Sequence, residues 1–182
     1  MRIVERRGEV PAPAARVWAR VSRMDGVNDE LRPWMRMTVP RALRGSTLDD
    51  LPLGVAAGRS WLLLFGFLPF DYDDLVIAER EPGRRFLETS TMLSMRRWEH
   101  ERTLEPHDPT AGSTTGAAAG AGAWTVVHDR ITFELRRPLA LLPGLAAALT
   151  WVVSGLFAHR HRHLARAFRS PGDGQGRPAG HG

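Results

Sequence analysis

The sequence contains no cysteine, so it can build no disulfide framework, no thiolate nucleophile and no cysteine-based zinc site. Lysine is missing as well, and all 25 basic residues are arginine. The first ten residues, MRIVERRGEV, lack the apolar core of a signal peptide, which makes the cytoplasm the expected location. Acidic residues are scarce near the C-terminus. From His159 onward there are five arginines and one acid, so most of the net charge of +5 sits there and the first 158 residues are nearly neutral. A basic face spread over the whole molecule is therefore excluded, and nucleic acid is not an expected partner. The uncharged run from Leu139 to Ala158 approaches the roughly 20 apolar residues of a membrane span, but Pro143 and Gly144 interrupt it. What remains has the length of a buried core helix.

That remainder opens the dominant element of the chain. From Leu145 to Arg169, the large apolar residues Leu145, Leu149, Val152, Val153, Leu156, Phe157, Leu164 and Phe168 follow three- and four-residue spacing, which gathers side chains on one helical face. Its last turns carry Arg160, Arg162, Arg166 and Arg169 where the helix dipole is negative. A stripe of this length needs a cover, and the preceding segments read as strands. The expected fold class is α+β, with a curved antiparallel sheet wrapped around a long C-terminal α-helix and a cavity between them. A length of 182 residues suits one domain, here 1–169.

Arg2 to Val10 reads as a first strand, ended by Pro11 and Pro13. Ala14 to Met24 reads as a helix, closed by Asp25 and Gly26, with a short second helix from Asn28 to Leu31. Trp34 to Val39 alternates like a strand, and Pro40 to Val55 is left as a loop with one turn of helix. Four clearer strands follow, over Arg59–Phe67, Phe70–Glu81, Arg85–Met92 and Met95–Leu104, and Pro82-Gly83 marks a turn. Residues 107–123 are rich in Gly, Ala, Ser and Thr and read as a flexible loop before the strand Trp124–Leu135. Residues 170–182, rich in Gly and Pro, read as a disordered tail.

The order of these elements resembles the START-like helix-grip superfamily (SRPBCC), which includes polyketide cyclases/dehydrases and lipid-transfer domains. The segments VPAPAARVWARVSRMDG, EREPGRRFLETS, WEHERTLEP, HDRITFEL and FAHRHRHLARAF carry the resemblance, which spans residues 2–169. It implies a hydrophobic cavity between sheet and C-terminal helix, and hence a small hydrophobic molecule such as a lipid or polyketide as partner. It also permits cyclase/dehydratase chemistry, with His100 as base and Arg102 or Tyr72 as donor to an enolate. No catalytic triad, cofactor or metal is implied.

Candidate ligand-binding residues follow from strand parity. On Met95–Leu104 the acids Glu99 and Glu101 mark the wet face, so Trp98, His100 and Arg102 point inward. An inward arginine needs a partner, and Asp129 on the neighbouring strand is the nearest. These three polar residues either orient a ligand or form a structural ion pair. Trp34, Trp61, Phe65, Tyr72, Phe133 and Trp151 are expected to complete the cavity wall. The apolar tip Phe67–Phe70 is expected to pack onto the last helix, with a lid, a homodimer contact or a membrane-touching edge as alternatives. The basic helix end is expected to complement the helix dipole and keep the terminus solvated, with weak contact to phosphate or an anionic membrane surface as the alternative. Asp71 and Asp73 share one strand face and are expected to be a solvated strand start. His159 and His163 share a helix face, and the His159–His163 run is expected to be a solvated helix end.

Overall fold

The computed structural model describes residues 1–108 and 123–169, so most of the expected flexible loop and the whole of the expected tail lie outside the described residues. Seven antiparallel strands form one sheet in the order β1-β7-β6-β5-β4-β3-β2. They are β1 (Arg2–Val10), β2 (Met35–Met37), β3 (Ala56–Leu64), β4 (Leu68–Glu81), β5 (Arg85–Met92), β6 (Met95–His107) and β7 (Trp124–Leu135). Two short helices, α1 (Ala14–Val21) and α2 (Met24–Leu31), connect β1 to β2, and the long α3 (Leu145–Arg169) closes the chain. The helix-grip architecture expected from the sequence is what is observed. Among the described residues no helix is long and apolar enough to cross a membrane.

The boundary between α1 and α2 corrects one expectation. Gly26 does not stop the first helix. It lies inside α2, where a Cβ would come within 2.0 Å of the Arg20 carbonyl oxygen. The glycine is there because the two helices cross at backbone contact. Asn28 then clamps β2, accepting from the Met37 N–H at 2.7 Å and donating to its carbonyl at 3.0 Å.

The segment 40–55 forms two turns of 3₁₀ helix, Arg41–Leu43 and Leu48–Asp50, with Leu43, Leu48 and Leu51 buried. The Trp18 indole donates to Asp49 at 2.7 Å, and Arg80 donates to the carbonyls of Leu48 and Leu51. These bonds pin the segment over one end of the sheet.

The core is divided in two. One apolar cluster, including Val17, Trp18, Ile77, Phe86, Leu104 and Leu164, fills the end where α1 and the last turns of α3 meet the sheet. The other, including Leu62, Met92, Met95, Phe133, Val153 and Phe157, lies under the first half of α3. The β3–β4 turn, the β5–β6 turn and the β7–α3 connection all open at this second end, hereafter the rim.

Candidate functional site: a polar band across the inner face

Between the two apolar clusters, the inward face of the sheet carries polar residues. Strand register sets them side by side. Ser60 pairs with Asp73, Leu75 with Ser90, Glu88 with His100, and Arg102 with Asp129. The result is a diagonal polar band running from β3 to β7 beneath α3.

The β6–β7 end of the band is saturated. Arg102 is 1 % exposed and Asp129 0 %. The Arg102 guanidinium donates to both Asp129 oxygens, at 2.7 and 2.8 Å, and to both oxygens of Glu30 at 3.1 to 3.2 Å. Arg160 on α3 donates to the same Glu30 carboxylate at 3.0 Å. Asp129 also accepts from His100 at 2.8 Å and from His161 at 2.7 Å. Two arginines and two carboxylates thus balance, and each hydrogen bond is charge-assisted. Burial would raise the Asp129 carboxyl, but the Arg102 charge and the bonds from Arg102, His100 and His161 outweigh it and hold it well below 3.8. Burial likewise disfavours the Arg102 charge, and Asp129 with Glu30 more than offset it, raising the group above its ordinary value.

The β3–β5 end is not saturated. Asp73 is 2 % exposed and its Oδ1 has no hydrogen-bond partner, and the same holds for Oγ of the fully buried Ser60. Burial, then the neighbouring Glu88, push the Asp73 carboxyl well above 3.8 and favour its protonated form. Ser90 donates to Glu88 at 3.2 Å, and His100 Nδ1 lies 3.8 Å from Glu88. The His100 ring is held edge-on between Phe86 and Phe157 at 5.3 and 5.1 Å.

Of the residues expected at the site, His100, Arg102, Asp129 and Phe133 are buried on the inner face, and Trp98 is half-buried there, 6.4 Å from the Phe133 ring. Five others do not line the interior. Trp61 and Tyr72 project from the outer face, because Ser60, Leu62, Asp71 and Asp73 take the inward positions of their strands. There Trp61 meets Tyr72 edge-on at 5.8 Å and the Arg59 guanidinium covers Tyr72 at 3.9 Å. Trp34 and Phe65 sit at the rim, 6.4 Å apart and about half exposed, and Trp151 is 80 % exposed on the outer side of α3. Their place on elements that face the cavity suggests an inward position. Strand and helix parity decides otherwise.

Three more expectations are corrected. Asp71 and Asp73 do share a face, but it is the buried one. Asp71 accepts from the N–H groups of Tyr72 and Leu93 at 2.8 Å and so fastens the β5–β6 turn. The tip does not pack onto α3, since Phe67 is 74 % exposed and Leu68 and Phe70 about half. The His159–His163 run is not uniformly solvated. His161 reaches Asp129 past Gly8, where a Cβ would stand 2.6 Å from its Nδ1, and Arg160 is buried against Glu30.

Sequence reasoning also missed Glu30, Ser60 and Glu88. A signal for Glu30 existed, because it follows Val27 by three positions and Gly26 by four, on the buried face of α2. Ser60 and Glu88 gave none, since a polar residue in a strand is normally assigned to the wet face.

Two clefts open elsewhere on the surface. One of about 310 Å³ lies between α2 and the following segment, lined by Met24, Val39, Leu43 and Ser46. The other, about 430 Å³, lies on the outer sheet face beside Asp74, Val76, Thr89, Arg97 and Glu99. Neither is the space between sheet and α3.

This architecture is the START-like helix-grip fold. The chain resembles a START superfamily protein from Mycobacterium smegmatis over 92% of its own length and 97% of that chain, with a TM-score of 0.61 at 12% identity. A protein from Chromobacterium violaceum matches over 93% and 99%, with a TM-score of 0.58 at 16% identity. DynU16, from the dynemicin biosynthetic locus, matches over 92% of this chain and 47% of that one, with a TM-score of 0.50 at 16% identity. At such identities the likeness is one of fold. Within that fold the chain belongs to the family described as a domain of unknown function, DUF8410, whose model matches residues 8–168. No curated protein matches it.

Proposed function

We propose that the protein binds a small hydrophobic molecule, such as a lipid or polyketide, under the rim half of α3, against the inward faces of the sheet. The observation that carries this reading is an apolar half-core that is left incompletely covered above buried polar atoms without partners. Of the uncharged half of α3, only Val153 and Phe157 are buried, while Leu145, Leu149 and, across from them, Met37 and Trp98 are only partly so. Apolar surface left wet at about 25 cal/mol per Å² is a standing incentive for a guest. Binding there requires the first half of α3 to move outward. Ligand sites of this kind combine an apolar wall with a few polar groups that fix orientation.

Native mass spectrometry of the purified full chain tests the proposal. A retained small molecule, or uptake of an added lipid with a rise in melting temperature, is the expected result. Absence of both across lipids, isoprenoids and polycyclic ketones overturns it.

A second reading concerns how such a ligand arrives. Phe65, Phe67 and Leu93 stand exposed on the β3–β4 and β5–β6 turns, as do Leu68 and Phe70 at the start of β4, Leu141 and Leu142 on the connection before α3, and Trp151 in the first turns of α3. Arg36 lies on β2, Arg96 follows the β5–β6 turn and pairs with Glu134 at 2.7 Å, and Arg136 follows β7. Phe65 holds a positive φ of 53°, a strained conformation for a side chain-bearing residue. An apolar tip flanked by arginines suits an anionic lipid surface. The basic end of α3 takes no part in this contact, because about 25 Å of helix separates Val152 from Arg169.

Cyclase chemistry is less well supported. Tyr72 is on the outer face, and the ring nitrogens of His100 already face Asp129 and Glu88.

A further inference from the structure

The unsaturated end of the polar band says what kind of head group the guest carries. Ser60 and Asp73 are cross-strand partners, so their Cβ atoms lie roughly 5 Å apart on the same face. Both are nearly or fully inaccessible, and each holds a buried oxygen without a hydrogen-bond partner. Native interiors rarely leave such atoms unsatisfied, because a buried polar group without a partner loses its hydration and gains nothing in return. The next inward positions toward the rim are Leu62, partnered by Asp71, and Met92, partnered by Asp73, and Leu62 and Met92 both belong to the apolar cluster beneath α3. The two oxygens therefore border the floor of the apolar half-core.

We propose that Ser60 and Asp73 form a head-group subsite for a neutral hydroxyl or carbonyl at the end of an otherwise apolar ligand, and that the subsite excludes carboxylates. This rests on the binding reading above. A ligand hydroxyl would donate to Asp73 Oδ1 and accept from the Ser60 hydroxyl, satisfying both atoms at once. A carboxylate would give up its hydration beside Asp73 and Glu88, two acids that offer it no compensating cation. Arg102 and Arg160 cannot offset it, because Asp129 and Glu30 already occupy them.

The test uses the full chain and three probes of one chain length: dodecanol, dodecanoic acid and dodecylamine. Affinities are read by calorimetry near neutral pH for the wild type, Ser60→Ala, Asp73→Asn and Asp73→Leu, each first checked for folding by circular dichroism. Dodecanol should bind about tenfold or more tightly than dodecanoate, and Ser60→Ala and Asp73→Leu should each weaken it by about tenfold, the worth of one hydrogen bond. Asp73→Asn, which keeps an acceptor and a donor, should retain it. Should Asp73→Leu fail to fold, Ser60→Ala carries the test alone.

Equal binding of dodecanol and dodecanoate overturns the subsite and leaves the binding reading standing. So does a preference for dodecylamine, or indifference to Ser60→Ala. Failure of all three probes to bind counts against both proposals.

Discussion

Arg102 and Asp129 face each other on adjacent strands and are joined by two parallel hydrogen bonds, Nε to Oδ1 at 2.7 Å and Nη2 to Oδ2 at 2.8 Å. The pair is the fixed point at which the sheet, α2 and α3 are tied together, because Glu30 from one helix and Arg160 and His161 from the other close around it. Such a cluster fixes geometry more than it adds stability, since the gain in attraction is spent on removing the charges from water.

Removing one member exposes that cost. Arg102→Met leaves Asp129 and Glu30 buried with their main partner gone and should destabilise the protein by about 3–5 kcal/mol. Urea denaturation followed by tryptophan fluorescence measures it. A loss under about 1 kcal/mol would mean that water reaches the cluster.

The two buried aspartates should act on stability with opposite signs. The folded value of Asp129 is depressed, so its contribution is full above the ordinary 3.8 and is lost as pH falls through the folded value. Asp73 is raised, so its contribution is complete below 3.8 and is lost as pH rises through its folded value. Asp73→Asn should therefore gain on the wild type as pH rises above about 4, and the gain should level off once Asp73 has ionised. Urea melts across that range give the comparison. A gap between the two proteins that does not change with pH would show that Asp73 keeps its ordinary titration.

Gly8 gives His161 its path to Asp129. An alanine in a strand is ordinarily favoured over glycine by roughly 0.5–1 kcal/mol. Here Gly8→Ala should instead destabilise by about 1 kcal/mol or more, because the new Cβ meets the His161 ring. In a His161→Ala background the same change should be neutral or favourable. Additive effects in this double-mutant cycle would mean that the two positions are not coupled.

Phe67→Asp tests the rim. Its side chain is largely exposed, so stability should move by no more than about 0.5 kcal/mol. Sedimentation with phosphatidylserine vesicles should fall in the variant, and binding by the wild type should weaken with added salt. Equal sedimentation of both proteins would remove the membrane reading.

The architecture was legible in the sequence because it depends on periodicity. The apolar steps of Leu145–Arg169 set the extent of α3, and the alternation of Met95–Leu104 set which way His100 and Arg102 point. Hydropathy failed where polarity and burial part company. Asp71, Asp73 and Ser60 are polar and buried, while Trp61, Phe67 and Trp151 are apolar and exposed. Composition predicts the reverse for all six.

What one stretch of chain determines by itself is therefore the identity, length and facing of its own helix or strand, since these depend on neighbours within a few residues. Which elements meet is decided only by the fold. Glu30, Arg102, Asp129 and Arg160 come from four elements, with 130 positions between Glu30 and Arg160. Their charges are tolerable in the interior because they arrive together, and no local pattern records that meeting.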